Sequence, residues 1–229
     1  MNELITIPRF ERIAFIYHGF GAAGWGEKGL EKREEWQDFK RLYLRQVHSD
    51  IIHVISDVPG QTLRGDAMIT GLPRLFLIIK TADCLPVLLV DEKKRVIAAV
   101  HCGWKGTLLR LLEKVVSGMK TQFGCNPVDL IAAFGPSISG RCYEVGEDVR
   151  GPFRDNCFPD KLFRPVPGQS RKYFLDLREA NCLQLRRQGV GDRNIFSIDI
   201  CTHCDRRFPS YRRDRAAAGR MFSFIALSR

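Results

Sequence analysis

Residues 81–106 read TADCLPVLLVDEKKRVIAAVHCGWKG. Within them LPVLLVD and VIAAVH are apolar runs of strand length, separated by the charged stretch EKKR. Short apolar runs bounded by charges or turn residues suit buried strands. The stretch therefore predicts an apolar strand, a charged turn and a second apolar strand. Cys84 stands in an Asp-Cys-Leu-Pro turn at the mouth of the first, and His101 ends the second. A thiol and an imidazole are thus placed at strand ends, where side chains from separated segments can converge on one rim.

Outward from this centre, residues 13–18 (IAFIYH) read as a strand that runs into the Gly-rich segment GFGAAGWGEKG. That segment lacks dinucleotide-fingerprint spacing and reads as a flexible rim. Residues 30–39 are charged and read as a helix. Residues 43–48 (YLRQVH) and 51–55 are apolar and β-branched around a polar break, and read as one bent strand or a hairpin. Residues 75–80, 130–134, 195–200 and 222–227 complete the strands. Gly106 is expected to open a helix reaching about Gln122, with Leu108, Leu112, Val115 and Met119 along one face and Gly124 as its stop. Residues 177–188 read as a second amphipathic helix. This mixture predicts an α/β (α+β) sandwich with mixed β-sheets flanked by helices. Without a linker, charge block or repeat, residues 1–229 are expected to form one domain.

The chain of 229 residues is 45% hydrophobic and 27% charged, ordinary for a globular protein. No apolar run approaches the roughly 18 residues of a membrane helix, and no secretory signal is visible, so no membrane partner and a cytoplasmic location are expected. The net charge of +10 favours anionic partners. Its basic residues are scattered and accompany no nucleic-acid-binding motif, which argues against nucleic acid, and an anionic small molecule such as a phosphate-bearing substrate explains the excess as well. Eight cysteines in a reducing compartment are not expected to pair. Cys125 and Cys182 lie in apolar contexts and read as core.

His48, Cys84 and His101 all sit at strand ends. Two imidazoles and a thiolate suit Zn²⁺ and leave a fourth position open, the layout of catalytic zinc sites. Cys84 with His101 equally suits a thiol nucleophile and its base. His53 sits mid-strand and reads as a surface or packing residue.

The segments LRQVHSD, TADCLPVLLVD, AVHCGWKG, FGPSISGRCYEVG and SYRRD, in this order, resemble the YfiH-like family. Its members are labelled multicopper polyphenol oxidase or laccase-domain proteins, and purine nucleoside phosphorylase and adenosine deaminase activities are assigned to some. The match runs from about residue 13 to the C-terminus. The resemblance implies a YfiH-like fold and a metal held by His48, Cys84 and His101, Zn²⁺ by preference with Cu²⁺ as the alternative. It implies purine nucleoside and phosphate as substrates: phosphorolysis of adenosine or inosine, with adenosine deamination beside it. Copper-dependent polyphenol oxidation is an alternative, though five histidines are few for a multicopper centre. A cysteine hydrolase or amidase acting on peptidoglycan precursors through Cys84 is another. The sequence leaves monomer and homodimer open. It departs from the family pattern after the first strand, where no Ser-Thr-Arg and no Ser-Leu-Asn segment occurs. Cys102, beside His101, should face the other side of its strand and pack.

Asp83 is either a general acid or base beside the metal or a turn-forming carboxylate that caps backbone amides. Lys105, at a helix start, is a candidate phosphate ligand. Arg212 and Arg213 of SYRRD divide between reaching the pocket and pairing with Asp214. Cys142-Tyr143-Glu144 is expected on the pocket wall. The pair Cys201/Cys204 of CTHC has no second C-x-x-C, which argues against a structural zinc there.

Overall fold

The computed structural model describes residues 3–228. The apolar runs form the centre of two six-stranded mixed sheets. The first runs Ile195–Ser197, Leu130–Phe134, Leu85–Asp91, Val96–Cys102, Ala67–Thr70, Ile52–Ile55. The second runs Leu4–Ile5, Ile16–Gly21, Met221–Leu227, Leu75–Thr81, Lys40–Arg45, Leu63–Arg64. A small third sheet joins Glu144–Gly146, Lys172–Leu175 and Phe163–Pro165.

Period-two alternation decides which side chains meet which layer. On the Leu85–Asp91 strand, Leu88 and Val90 pack with Leu77, Ile79 and Ile225 of the opposite sheet. Val87 and Leu89 pack instead with Leu112, Val115 and Met119 of the helix Leu111–Phe123. Every residue of the strand is buried, so it reads as an unbroken apolar run rather than as an alternation. Burial of each such leucine or valine stabilises by roughly 2 kcal/mol. The hairpin of Leu85–Asp91 and Val96–Cys102 is therefore a rigid base for whatever its ends carry. The result is an α/β sandwich of mixed sheets flanked by helices, as expected.

Four local expectations need correction. The strand expected at residues 13–18 is Ile16–Gly21, and its glycines are sheet positions, not the start of a flexible rim. A Cβ on Gly21 would lie 2.7 Å from the Trp25 ring. The glycine lets that buried indole stack on Phe224 at 5.0 Å. Residues 30–39 hold only the end of the helix Gly26–Glu31 and a single 3₁₀ turn, Glu34–Trp36, because Trp36 and Phe39 turn inward onto Phe76. The helix expected from Gly106 starts at Trp104, stops at Leu108 and resumes at Leu111. At the break Arg110 adopts φ 62° and lies over the Phe158 ring at 3.7 Å. The buried Gln184 amide covers the break, accepting from the N–H groups of Leu112 and Glu113 and donating to the Thr107 carbonyl.

The fourth correction matters most for function. Residues 43–55 are neither one bent strand nor a hairpin. Lys40–Arg45 lies in the second sheet, parallel to Leu75–Thr81 and Leu63–Arg64. Ile52–Ile55 lies in the first, parallel to Ala67–Thr70. The chain therefore crosses from one sheet to the other at residues 46–51, and again at residues 65–66. The two crossings run side by side, joined by Gly65 N–H to Arg45 O at 3.2 Å and Asp66 N–H to Ile51 O at 3.0 Å.

Candidate metal centre and pocket

Hairpin register brings the thiol to the imidazole. Leu85 pairs with Cys102 and Pro86 with His101, so Cys84, one residue before the strand, meets the far end of its partner. His48 arrives from the first crossing. The structure brings one donor atom from each of His48, Cys84 and His101 within 4.8 Å of the other two. His48 Nε2 stands 3.8 Å from Cys84 Sγ, and the two imidazole rings meet nearly edge-on at 4.8 Å between centroids. A nitrogen and a sulfur on one tetrahedral ion are about 3.6 Å apart, given metal bonds of about 2.1 and 2.3 Å. The donor set fits a single ion, and its chemistry suits Zn²⁺ or copper.

Asp66, at the second crossing, organises this set. It is fully buried. One carboxylate oxygen meets His101 Nδ1 at 2.8 Å and accepts the His48 N–H at 3.0 Å. The other accepts the Ser49 N–H at 2.7 Å and the Ser49 hydroxyl at 2.6 Å. With Nδ1 committed to Asp66, His101 presents Nε2 to an ion, and metal-ligating histidines are usually oriented this way. The same carboxylate holds His48 in its left-handed conformation, φ 59°, which a non-glycine residue adopts only when its surroundings enforce it. The His101 and Ser49 hydrogen bonds outweigh burial and keep Asp66 well below the usual carboxylate range. Burial pushes the Cys84 thiol up, but the charge and hydrogen bond of His101, with those of His48, bring it down to about 6. His101 moves the other way: burial lowers it, while the Cys84 sulfur and Asp66 raise it to about 9.

Gly103 completes the cradle. A Cβ there would lie 2.9 Å from His48 Cδ2 and 3.2 Å from Cys84 Sγ. Its φ of −78° suits any residue, so the constraint is the close approach alone. Gly103→Ala is expected to weaken metal binding by about tenfold or more, as misdirected ligands do. Its melting temperature should stay within about 4 °C of wild type. Competition with a chelating dye, alongside thermal melts, checks both.

The donors open into a cavity of about 650 Å³, within the usual range for small-molecule sites. Trp104, Tyr143 and Tyr211 give it aromatic walls, and Lys80, Arg212, Arg215 and Arg220 make it basic. Lys80 is held between the Tyr43 and Phe222 rings at 4.3 and 4.7 Å. Its backbone N–H and carbonyl are both bonded by the Gln46 side chain.

Asp83 lies on the cavity wall at φ 82°, with both oxygens engaged: one accepts the Thr202 hydroxyl at 2.7 Å, the other the Arg212 N–H at 2.6 Å. Arg212 lines the cavity, donates to the Glu144 carbonyl at 2.8 Å and stacks near Tyr143. Arg213 pairs with Asp214 at 2.7 Å. Lys105 does not line the cavity. It is exposed on the five-residue helix Trp104–Leu108, with its ammonium 5.5 Å from the Trp104 ring. Besides Arg212, the basic residues that line it, Lys80, Arg215 and Arg220, lie in an apolar strand run or beyond SYRRD and carry no motif of their own. Cys102 is fully buried against the helices. His53 bonds the Arg64 carbonyl and is not part of the His48, Cys84, His101 donor set.

A family model described as multi-copper polyphenol oxidoreductase laccase matches residues 29–228. The chain belongs to this laccase family. Among its relatives, a purine nucleoside phosphorylase of Clostridium acetobutylicum is 38% identical over 203 residues, covering 87% of this chain and 83% of that protein. An adenosine deaminase, RL5, from an unknown prokaryotic organism is 37% identical over 194 residues, covering 79% and 72%. The crystal structure of the Bacillus licheniformis hypothetical protein YfiH superposes with a TM-score of 0.88 at 28% identity, covering 99% of this chain and 97% of that one. The laccase-family chain thus shares its fold with a YfiH protein and over a third of its aligned residues with relatives named as a purine nucleoside phosphorylase and an adenosine deaminase. No helix among its described residues is long and apolar enough to cross a membrane.

Proposed function

We propose that the protein is a metal-dependent purine nucleoside enzyme that cleaves adenosine or inosine with phosphate. The observation that carries this reading is a His-Cys-His donor set opening into a basic, aromatic-walled cavity. The names of its relatives supply the substrate class. A purine stacks against Tyr143 or Trp104, and Lys80, Arg212, Arg215 and Arg220 offset the charge of phosphate. A phosphate oxygen attacks ribose C1′, the C1′–N9 bond breaks, and its electron pair leaves with the base, which takes up a proton. A bound metal ion supplies Lewis-acid polarisation at this site. Asp66 holds His48 and His101 in place for it. Asp83 acts through Arg212, whose backbone it fixes, and Lys105 has no part. Zn²⁺ is the proposed ion, with Cu²⁺ as the alternative the donor set also accepts. We further propose a cytoplasmic enzyme of one domain.

Zinc-loaded protein with inosine and phosphate is expected to yield hypoxanthine and ribose 1-phosphate, with no base released when phosphate is omitted. Chromatography of the products checks this. The lowered Cys84 thiol between two imidazoles favours one second reading, a cysteine hydrolase. That reading predicts turnover without phosphate and inactivation by iodoacetamide that added zinc does not prevent.

A further inference from the structure

A second group of thiols lies outside the cavity lining, next to residues that line or brace it. Cys142, Cys201 and Cys204 bring their sulfurs within 4.8 Å of one another, with Cys142 Sγ 3.4 Å from Cys204 Sγ. The C-x-x-C of residues 201–204 looked incomplete in sequence. Its third partner is supplied from 62 positions before Cys204, by the loop that carries Cys142. We infer that Cys142, Cys201 and Cys204 form a second metal site, for a thiophilic ion such as Zn²⁺, whose role is to clamp two segments of the pocket wall.

Three features carry this. First, the spacing suits shared coordination: sulfurs on one tetrahedral zinc are about 3.8 Å apart. Second, the backbone builds the site. Cys204 N–H and Asp205 N–H both donate to the Cys201 carbonyl, and Cys142 N–H donates to the Ser139 carbonyl, so each ligand sits in a hydrogen-bonded turn. Ser139 N–H donates to Cys201 Sγ at 3.4 Å, the kind of bond that stabilises metal thiolates. Third, three thiolates around a divalent ion leave one net negative charge, and the turn continues into Arg206, while Arg207 is taken up by Asp205 and Glu3. Cys204 is exposed, so the fourth position faces solvent.

The clamp acts on the cavity through the next residue at each anchor. Tyr143, after Cys142, lines the cavity; Thr202, after Cys201, bonds Asp83. Asp83 in turn holds Arg212. An ion joining the two segments fixes the distance between an aromatic wall and a basic one. The site shares no ligand with the His48, Cys84, His101 set.

Cobalt titration of the full chain under reducing conditions tests this. Wild type is expected to bind two equivalents of Co²⁺, and Cys204→Ser one. Thiolate-to-cobalt absorption in the near ultraviolet should fall by roughly three-quarters in Cys204→Ser, from four thiolates to one. His101→Ala should lose the other equivalent and keep the stronger absorption, which also separates this site from the proposed catalytic one. The inference is overturned if wild type binds one equivalent that His101→Ala removes. It is equally overturned if Cys204→Ser keeps two, or if protein kept under the titration's reducing conditions still shows a Cys142–Cys204 disulfide by mass. Because Cys204 is exposed, its replacement should leave the fold intact, and circular dichroism confirms this independently.

Discussion

Cys84→Ala is expected to abolish metal binding at the His-Cys-His centre and all nucleoside turnover while leaving the protein folded. Cys84 provides the only sulfur of that donor set and lies at the open end of a hairpin whose interior is already buried. Removing one sulfur at the rim costs about 1–2 kcal/mol. Binding and stability should therefore separate, as they do not in a zinc finger, where the ion and the core are one thing. Elemental analysis and nucleoside assay on one sample, with circular dichroism on the other half, decide it. Loss of the folded signal together with the metal would make the centre structural.

The second large effect is expected at Asp66, which is buried and does not line the cavity. Asp66→Asn has the same shape, yet no orientation of the amide satisfies its neighbours. With Oδ1 toward His101 and His48, the NH₂ faces the Ser49 N–H; reversed, it faces the His48 N–H. The reversed amide also donates to His101 Nδ1 and so forces the tautomer whose Nε2 carries a proton and cannot bind an ion. We expect metal affinity to fall about 10–100-fold, and stability to fall by roughly 2–3 kcal/mol for the buried donor left unpaired. A melting-temperature loss with unchanged affinity would show that Asp66 only supports the fold.

What the residues disclose on inspection follows their range of interaction. The hairpin that carries Cys84 and His101 is local, and its apolar runs and charged turn were sufficient to place both. His48 was legible through its motif, but not its route, because an apolar run broken at Ser49-Asp50 reads the same whether it stays in one sheet or changes sheets. Asp66 gave no signal: a lone Asp after Gly65 reads as a turn, and its partners lie 17 to 35 positions away. Lys105 drew attention because a basic residue at a helix start resembles an anion site, while Lys80, which lines the cavity, was hidden inside an apolar strand. The thiol cluster was half visible, since a C-x-x-C pattern cannot announce a third cysteine on another loop.

The paired crossings bear on how the molecule assembles. An isolated hairpin could present Cys84 and His101, but His48 and its Asp66 support arrive only when both sheets have docked. The centre is thus built from contacts distant along the chain, the kind that form late in folding. A nascent or partly unfolded chain offers an ion two donors rather than three and holds it weakly. On the proposed reading, metal capture would double as a test of completed assembly, and chains trapped with one sheet undocked would stay both inert and metal-poor.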